Sequence, residues 1–501
     1  MIAWTIVQIA VLIWAIQMLW KYYKANGGNK FGLPEPPGPY GLPVIGYLPF
    51  LGSEAQLTFA KLAQKYGDIL QVQLGTQKVI VLNSLDVIKE AYIKDASFAG
   101  RPSSASFDTV LKSTTANLSF RTGDAQWKFL RKLSIKALSM FASSRNSRLE
   151  AVVDEANEEL HAELKAFNGQ PTDPQLNIFK CAASVIGTIL FGLDFSSKDG
   201  ILKPILLANQ KFISFFAAGS VLDSLPLGPL IMRHKVNDFV KSIKPVGDIV
   251  DKHITEHLVH CEEEDDVRDV ADAFALAAKQ TPADVKQQLG LTDDIIRCIS
   301  RDLFGAGFGT VMESFRWAVN LLAVFPDVQE RARRELAEVC GDRPLRLTDR
   351  SNIPYNEAVM LEALRFGSLL PLSLPHSTME DTTLRGYFIP KGTTIFSNLF
   401  AHHYDHQYFP DPDSFKPDRF LTADGKLDAD KAQLVFPFGV GKRRCVGENL
   451  ARQELSLLIG RLLQQFEIRQ DPRNPVNIRD AIPGLTRGPI QTPLIFEKIV
   501  L

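Results

Sequence analysis

A ten-residue loop near the carboxyl end constrains this chain more than any other stretch. It reads Phe438-Gly439-Val440-Gly441-Lys442-Arg443-Arg444-Cys445-Val446-Gly447, and an apolar helical run is predicted from Val446 to about Gln465. Unpaired backbone N–H groups and the positive dipole end at a helix start lower the pKa of a thiol and favour a thiolate ligand. Gly441 and Gly447 leave room for a bulky, flat group near the backbone.

The side chains around Cys445 indicate which flat group this is. Arg443 can bind a carboxylate, and Phe438 can cover an apolar face. A thiolate, a flat partner and a carboxylate to neutralise together favour haem iron with Cys445 as its axial ligand. A buried structural cysteine is the alternative, but the run F-x-x-G-x-R-x-C-x-G makes it the poorer interpretation.

Length and charge limit the other classes of function. The chain has 501 residues and a net charge of -1, which argues against general nucleic-acid binding. Length alone suggests about three domains, but no linker or repeat divides the part after residue 50. Five cysteines are few, odd in number and widely spread, which excludes a disulfide framework and suits a reducing compartment.

The amino end predicts a membrane anchor over residues 1–24. Residues 2–20 are almost wholly apolar, with tryptophans near both ends and Lys21 and Lys24 after them, so the body should stay cytosolic. A cleaved signal peptide is the alternative, but it expects a basic start and a small-residue cleavage site, and neither is found. Residues 25–50 are proline-rich and predict a stiff hinge. One domain should then occupy residues 51–501.

A helix predicted from Gly123 to Met140 contains Trp127 and Arg131. Their spacing of four places both side chains on one helix face, where an indole N–H and a guanidinium can bind one carboxylate. A surface cation beside a core tryptophan is the alternative interpretation.

A second, longer helix is predicted from the capping residue Thr292 to Phe325, before Pro326. Gly307 and Gly309 in its centre cost on the order of 1 kcal/mol each, which indicates that something passes close to the backbone there. Phe308 between them is predicted to form a wall of a pocket for flat apolar substrates.

These motifs, taken in order along residues 34–499, resemble those of the cytochrome P450 family. The matches are the proline-rich hinge, Trp127-x-x-x-Arg131, Ala306-Gly307-x-x-Thr310, Glu362-x-x-Arg365, Pro417-x-Arg419-Phe420 and the cysteine loop. The resemblance implies a mainly α fold with small β-sheets, in which haem b lies between the long helix and the cysteine loop. It assigns the haem to Trp127, Arg131, His376, Phe438, Arg443, Cys445 and Gly447, and it makes Glu362, Arg365 and Arg419 a structural lock on the cysteine loop.

The resemblance also assigns catalytic residues on the long helix. The Thr310 hydroxyl is expected to help deliver protons to oxygen, and in the family an acid precedes this threonine. Here that position is Gly309, so Glu313, one turn further on, is a candidate substitute, and Asp302 is a weaker one. The alternative is that Glu313 is solvated or ion-paired.

The implied activity is a monooxygenase that inserts one oxygen atom into a small apolar substrate, steroid-like or aromatic, as in the animal microsomal branch. Phe107, Ala306, Phe308 and Leu485 are the predicted substrate contacts. Electrons would come from NADPH through a cytochrome P450 reductase, and a small b-type cytochrome is a second candidate partner. Lys128, Lys132 and Lys136 form either a solvated face or the dock for that donor.

The resemblance places the protein in the endoplasmic reticulum membrane, in contact with lipid and with the catalytic domain cytosolic. Because Gly309 removes the acid, a haem-thiolate isomerase, dehydratase or peroxygenase remains an alternative function. A non-catalytic haem- or lipid-binding protein is a further one.

Overall fold

The computed structural model describes residues 31–103, 118–142, 148–193, 199–217, 221–225, 227–260 and 267–499. Within these ranges most regular structure is helical and the β-sheets are small, as the sequence predicted. No helix within them is both long and apolar enough to cross a membrane. The predicted anchor over residues 1–24 and the predicted substrate contact Phe107 lie outside the described residues.

The α-helices are numbered here in chain order. They are α1 Leu48–Leu51, α2 Ala55–Tyr66, α3 Leu85–Lys89, α4 Ala125–Phe141, α5 Arg148–Ala166, α6 Gln175–Phe191, α7 Asp199–Phe215, α8 Val221–Ser224, α9 Gly228–Ile231, α10 Arg233–His260, α11 Val270–Gln280, α12 Ala283–Leu289, α13 Asp293–Val324, α14 Pro326–Cys340, α15 Pro354–Gly367, α16 Leu399–His403, α17 Ala429–Ala432 and α18 Glu448–Gln465. Short 3-10 turns cover Ala96–Ala99, Leu347–Asn352, Pro417–Phe420 and Gly441–Arg443, and a π-helical turn covers Glu90–Lys94.

The strands are short and form one four-stranded sheet and several pairs. They are β1 Ile69–Leu74, β2 Gln77–Leu82, β3 His376–Ser377, β4 Thr382–Leu384, β5 Tyr387–Ile389, β6 Thr394–Ser397, β7 Phe466–Gln470, β8 Ala481–Ile482, β9 Gly488–Pro489 and β10 Leu494–Lys498. The larger sheet has the order β1-β2-β6-β3, in which β2 and β6 are parallel and the other pairs antiparallel. Strands β1 and β2 form a hairpin, with Ile69 opposite Leu82.

The proline-rich segment lies against this sheet. The N–H of Gln71 in β1 donates to the carbonyl of Pro37 at 2.8 Å, and the N–H of Phe388 in β5 donates to Pro34 at the same distance. A Cβ on Gly38 would lie 1.8 Å from the Gln71 carbonyl oxygen, so a side chain is excluded there. From residue 34 onward the predicted hinge is therefore held on the globular body by backbone hydrogen bonds.

Helix α13 runs through the main hydrophobic core, because 20 of its 32 residues are buried. Thr292 occupies its N-cap position, although the threonine side chain makes no capping hydrogen bond, and Pro326 begins the next helix. Both ends of the helix therefore agree with the sequence prediction. The helix packs against α6, α10, α15 and α18.

The three residues predicted to form the structural lock contact one another directly. Arg365 donates to both carboxylate oxygens of Glu362 at 2.7 and 2.8 Å, and Arg419 donates to the same carboxylate at 3.1 Å. Arg365 also donates to the carbonyl of His403 at 2.8 Å, so the lock binds the segment that leads toward the cysteine loop. Asp418, which replaces the family's glutamate, instead forms an ion pair with Arg331 on the surface.

Candidate active site

A cavity of about 680 Å³ lies between α13 and the cysteine loop. Its wall brings together most of the described residues that the sequence assigned to cofactor or substrate. These are Trp127, Arg131, Ala306, Phe308, Thr310, His376, Phe438, Arg443, Cys445, Gly447 and Leu485. Cys445 and Thr310, which are 135 positions apart in the sequence, therefore line one cavity.

The cysteine loop is closed by a hydrogen bond from the N–H of Cys445 to the carbonyl of Phe438 at 2.9 Å. Gly441 has a φ of +73°, and a Cβ there would lie 2.1 Å from the carbonyl oxygen of Tyr92. This glycine therefore admits a neighbouring backbone and not the flat group predicted from the sequence. Gly447 has open space beside it, since a Cβ there would meet no atom within 4 Å. The approach of a flat group to Gly447 stays a prediction.

The electrostatics of Cys445 differ from the prediction. The thiol faces the cavity, and burial raises its pKa, against the opposing effect of the Gly447 backbone N–H. The helix itself begins only at Glu448, whose carboxylate raises the pKa further. The predicted lowering of the pKa by the helix start is therefore wrong for the free thiol. Binding to a metal cation deprotonates a thiol outright, so a raised pKa does not oppose ligation.

Arg443 lines the cavity, and one of its N–H groups has no hydrogen-bond acceptor among the described residues. Its Nε donates to the carbonyl of Ala99 at 2.8 Å and one terminal nitrogen donates to Arg121 at 2.6 Å. The other, Nη1, is buried without a hydrogen-bond partner among the described residues. Burial, with Arg101 and Arg131 nearby, lowers the pKa of Arg443 to about 9. A bound carboxylate would satisfy the free N–H and offset this positive field.

The structure modifies the role predicted for Trp127. Its indole N–H donates to the carbonyl of Leu118 at 3.0 Å, so this donor is already used. The guanidinium of Arg443 lies 4.0 Å from the ring centroid, and that of Arg131 lies 5.6 Å from it. Trp127 therefore positions two cations by its ring face. Arg131 also donates to the carbonyl of Arg444 at 2.6 Å, which ties α4 to the cysteine loop.

His376 stands on β3 with its ring stacked on Tyr92, the two ring centroids 3.9 Å apart. Its Nδ1 lies 2.9 Å from the carbonyl oxygen of Phe98, and burial lowers its pKa well below the usual value. Arg101 is a cavity residue that the sequence reading missed. It is buried, and it donates to Ser119 at 2.8 Å and to Pro375 at 2.7 Å. No motif marked Arg101, because its partners come from distant segments.

The centre of α13 forms another part of the cavity wall. The Thr310 hydroxyl donates to the carbonyl of Ala306 at 2.8 Å, and both residues line the cavity. Phe308 is only 3% exposed, and its ring packs on Phe179 and Phe304, with centroids 5.5 and 5.0 Å away. It therefore offers the cavity less surface than the sequence prediction assumed.

The two helix glycines admit side chains from neighbouring helices. A Cβ on Gly307 would lie 2.6 Å from Cγ1 of Ile186 in α6, and one on Gly309 would lie 2.7 Å from Oδ1 of Asn209 in α7. The close approach predicted from these glycines is therefore real. The approaching groups are Ile186 and Asn209.

Glu313, the candidate substitute acid, does not line the cavity. It is 5% exposed and accepts a hydrogen bond of 2.8 Å from Arg316, beside Gly488 in β9. Burial raises its pKa, and Arg316 opposes that rise. The structure thus favours the ion-paired alternative for Glu313 over a role in feeding protons to the site.

Asp302 does line the cavity, but it accepts a hydrogen bond of 2.8 Å from the Ser119 N–H. It lies eight residues, or about 12 Å along the helix axis, from Thr310. Leu485 reaches the cavity from the turn after β8, where its N–H donates to the carbonyl of Ile213 at 2.9 Å. This contact ties the carboxyl-terminal turn to α7.

The cavity suits a flat, dianionic, thiolate-bound cofactor. Cys445 offers the cavity a sulfur ligand, Arg443 has a buried N–H without an acceptor among the described residues, and open space lies beside Gly447. Comparison with family models gives a match to cytochrome P450 over residues 36–496. The chain belongs to the cytochrome P450 family.

Individual relatives agree with the family match. The chain is 35% identical to cytochrome P450 1A1 of Rattus norvegicus over 470 residues, which cover 91% of this chain and 88% of the relative. It is 34% identical to cytochrome P450 1A1 of Homo sapiens, with 87% of both chains covered. It is also 34% identical to cytochrome P450 1A5 of Gallus gallus, covering 87% of this chain and 84% of the relative. The protein is thus a cytochrome P450 monooxygenase similar to animal members.

Proposed function

We propose that this cytochrome P450 inserts one oxygen atom from dioxygen into a small, flat, apolar substrate. Electrons come from NADPH through a cytochrome P450 reductase. The observation that carries the proposal is the shared cavity, which is lined by Cys445 and by Ala306 and Thr310 of α13. A substrate held there lies between the metal ligand and the helix that offers a hydroxyl.

Haem b is the cofactor that fits this cavity, and when bound it supplies the activation of dioxygen. Cys445 would hold the iron as a thiolate, and Phe438 and Gly447 would contact the ring. Arg443, Arg131 and His376 would bind the propionates, and the Trp127 ring holds both guanidiniums in place. Because Arg443 Nη1 has no other described partner, it gains the most from a propionate.

Thr310 of α13 is the residue proposed to deliver protons into the cavity. Its hydroxyl proton is donated to the Ala306 carbonyl, which leaves the oxygen free to accept a hydrogen bond from water in the cavity. The same hydroxyl can rotate and donate in turn. Glu313 takes no part, and Asp302 is about two helix turns away.

The substrate class follows from the cavity wall, which is mostly apolar. Side chains from α6, α7, α13 and the carboxyl-terminal turn enclose it: Ile186, Ile205, Phe308, Leu485 and, toward the haem side, Leu450. Burial of apolar area in such a cavity contributes about 25 cal/mol per Å². A steroid-like or aromatic molecule fits this surface.

The donor would dock on the face of α4 beside the cysteine loop. Lys128, Lys132 and Lys136 are exposed on that helix, and Arg131 joins the helix to the loop. A reductase with an acidic surface is the proposed partner, and a small b-type cytochrome is a second one. The anchor over residues 1–24 would hold the enzyme in the endoplasmic reticulum membrane, with this face toward the cytosol.

Oxygen incorporation tests the proposal. The haem-loaded enzyme is reconstituted with reductase, NADPH and a set of flat apolar compounds under ¹⁸O₂. We expect substrate-dependent NADPH use and one ¹⁸O atom in the product. Ligands that change the haem spectrum without any product would instead indicate a non-catalytic binding protein.

Gly309 favours one second candidate function. The acid that precedes the threonine in the family is absent here, and a haem-thiolate isomerase, dehydratase or peroxygenase does not need that acid, because it does not deliver protons to dioxygen. Such an enzyme would convert a hydroperoxide without NADPH or reductase. If the hydroperoxide reaction is fast and no ¹⁸O is incorporated from ¹⁸O₂, the second candidate replaces the first.

A further inference from the structure

A buried histidine outside the active-site cavity has a carboxylate near each of its ring nitrogens. His257 lies near the end of α10 and is 7% exposed, and Asp269 and Asp272, at the start of α11, are 1% and 0% exposed. Ligand atoms of the three side chains all lie within 4.8 Å of one another. None of the three residues lines the cavity that contains Cys445, so the cluster is separate from the candidate active site.

The two ring nitrogens of His257 have different surroundings. Nδ1 lies 2.6 Å from Oδ1 of Asp272, a short hydrogen bond to a carboxylate, so this nitrogen carries the ring proton. Arg268 also donates to the Asp272 carboxylate, at 2.8 and 3.2 Å, and balances its charge. A carboxylate on one ring nitrogen fixes the tautomer and the orientation of metal-binding histidines. In the neutral ring, Nε2 then carries the lone pair.

Nε2 faces two oxygens that carry lone pairs as well. The carbonyl oxygen of Phe191, the last residue of α6, lies 3.3 Å from Nε2, and Oδ2 of Asp269 lies 3.5 Å from it. Oδ1 of Asp269 caps α11 by accepting from the Asp272 N–H at 2.9 Å, whereas Oδ2 accepts no hydrogen bond from the described residues. A buried carboxylate oxygen without a partner is costly, so a positive group among these three atoms would stabilise them.

The distances around Nε2 distinguish a metal ion from a proton as that positive group. A protonated ring would donate to a carboxylate at about 2.7–2.9 Å, well below the 3.5 Å that separates Nε2 from Asp269. Zinc binds nitrogen and oxygen at about 2.0–2.2 Å in a tetrahedron, which separates neighbouring ligand atoms by about 3.3–3.6 Å. Both distances from Nε2, 3.3 and 3.5 Å, fall within this range.

We propose that Nε2 of His257, Oδ2 of Asp269 and the carbonyl oxygen of Phe191 bind one divalent cation of the zinc class, with water as the fourth ligand. Asp272 does not bind the ion and instead orients the His257 ring through Nδ1. The donor set of one imidazole and two oxygens, without a thiolate, is one that zinc accepts.

The role of this site is structural. The ion joins the last residue of α6, the end of α10 and the first turn of α11. Helix α10 lines the active-site cavity with residues up to Asp251, which lies less than two turns before His257. The ion therefore holds this part of the cavity wall in place without contacting substrate or haem. The inference does not depend on the proposed monooxygenase activity.

Zinc binding to the haem-loaded, full-length enzyme without an affinity tag tests the proposal. The protein is treated with EDTA, dialysed, and titrated with zinc chloride by isothermal titration calorimetry at neutral pH. Wild type is compared with Asp269→Asn, His257→Gln and the control His234→Gln. His234 also belongs to α10 and lies 3.2 Å from a carboxylate, that of Asp238, but its side chain is 89% exposed.

We expect wild type and His234→Gln to bind one zinc ion per chain with the same affinity. Asp269→Asn keeps an oxygen that can cap α11 and should bind zinc at least about tenfold more weakly, since even outer-shell partners contribute that much. His257→Gln should lose the site. Zinc at about 100 times its dissociation constant should raise the melting temperature of wild type by roughly 3 °C and leave that of His257→Gln unchanged.

The zinc X-ray absorption spectrum identifies the ligands. We expect nitrogen and oxygen at about 2.0–2.2 Å and no sulfur at about 2.3 Å. Sulfur ligands would place the ion on cysteines and overturn the inference. Equal zinc affinity in wild type, Asp269→Asn and His257→Gln would indicate an adventitious ion only, and would overturn it too.

The remaining outcomes separate this site from the haem site. A wild type that binds no zinc overturns the inference and leaves His257 as a protonated partner of two carboxylates. The thiolate band of the reduced carbon-monoxide complex is recorded for each variant, so that misfolded protein is identified. A wild type that binds zinc as expected but lacks this band supports the inference and contradicts the proposed monooxygenase function.

Discussion

Replacing Glu313 with glutamine is expected to lower stability and leave catalysis unchanged. Glu313 and Arg316 form an ion pair of 2.8 Å, with side chains 7% and 5% exposed. Removing one partner of a buried pair leaves an uncompensated charge and costs about 3–5 kcal/mol. Arg316 then keeps a 3.2 Å hydrogen bond to the Pro489 carbonyl, which carries no charge.

The size of the expected shift in melting temperature follows from the size of the chain. An unfolding entropy of about 2.1 cal/mol/K per residue gives about 1 kcal/mol/K for 501 residues. A loss of about 3–5 kcal/mol therefore lowers the melting temperature of the haem-loaded protein by roughly 3–5 °C. Circular dichroism on heating measures the melting temperature, and product formed per NADPH measures catalysis.

A double variant separates the two effects of Glu313. Glu313→Gln with Arg316→Met leaves no unpaired charge, so it should recover part of the lost stability. Product formed per NADPH should match wild type in both variants. The reasoning is refuted if Glu313→Gln melts like wild type while product formed per NADPH falls severalfold, since Glu313 would then be a proton donor.

Three other predictions follow from the lock, a buried histidine and the propionate edge. Glu362→Ala leaves the fully buried Arg365 without its ion-pair partner and should lower the free energy of unfolding by about 3–5 kcal/mol, measured by denaturant titration. The control Arg334→Ala, in an exposed ion pair, should lower it by less than about 0.5 kcal/mol in the same assay. Burial lowers the pKa of His402 to about 4, so the unfolded chain binds a proton more tightly than the folded protein does. The free energy of unfolding is therefore unaffected by this group above pH 6.5 and decreases as the pH falls toward 4, by about 2 kcal/mol at pH 5. His402→Gln should show a flatter dependence of the free energy of unfolding on pH. Arg443→Leu should speed haem transfer to apomyoglobin at least about tenfold, through one lost charge-assisted hydrogen bond, while Lys442→Leu, at an exposed neighbour, should not; equal rates in the two variants would contradict the assignment.

Features carried by short, local patterns could be predicted from the sequence. The ends of α13 follow from a capping residue and a proline, and the lock follows from an i,i+3 pair with Arg419 supplied by the resemblance. The presence of Cys445 and Thr310 in the wall of one cavity also agrees with the resemblance.

Features that depend on distant segments could not be predicted. The partner of Gly309 is Asn209, 100 residues earlier in the chain, and Glu313 packs beside Gly488, 175 residues later. The indole N–H of Trp127 is taken by Leu118, a backbone group with no sequence signal. The pKa of Cys445 depends on enclosure by the whole fold, which outweighs the helix start that the local sequence shows.

The most direct test of the account is the spectrum of the reduced carbon-monoxide complex. Wild type, Cys445→Ser and Cys298→Ser are purified at full length and loaded with haem. Cys298 is the matched control, because it is also a cysteine that lines the cavity, but it lies on α13 and not in the cysteine loop. We predict the red-shifted thiolate band for wild type and Cys298→Ser and its absence in Cys445→Ser. A wild-type protein without the band, or a Cys445→Ser variant that keeps it, would contradict the account.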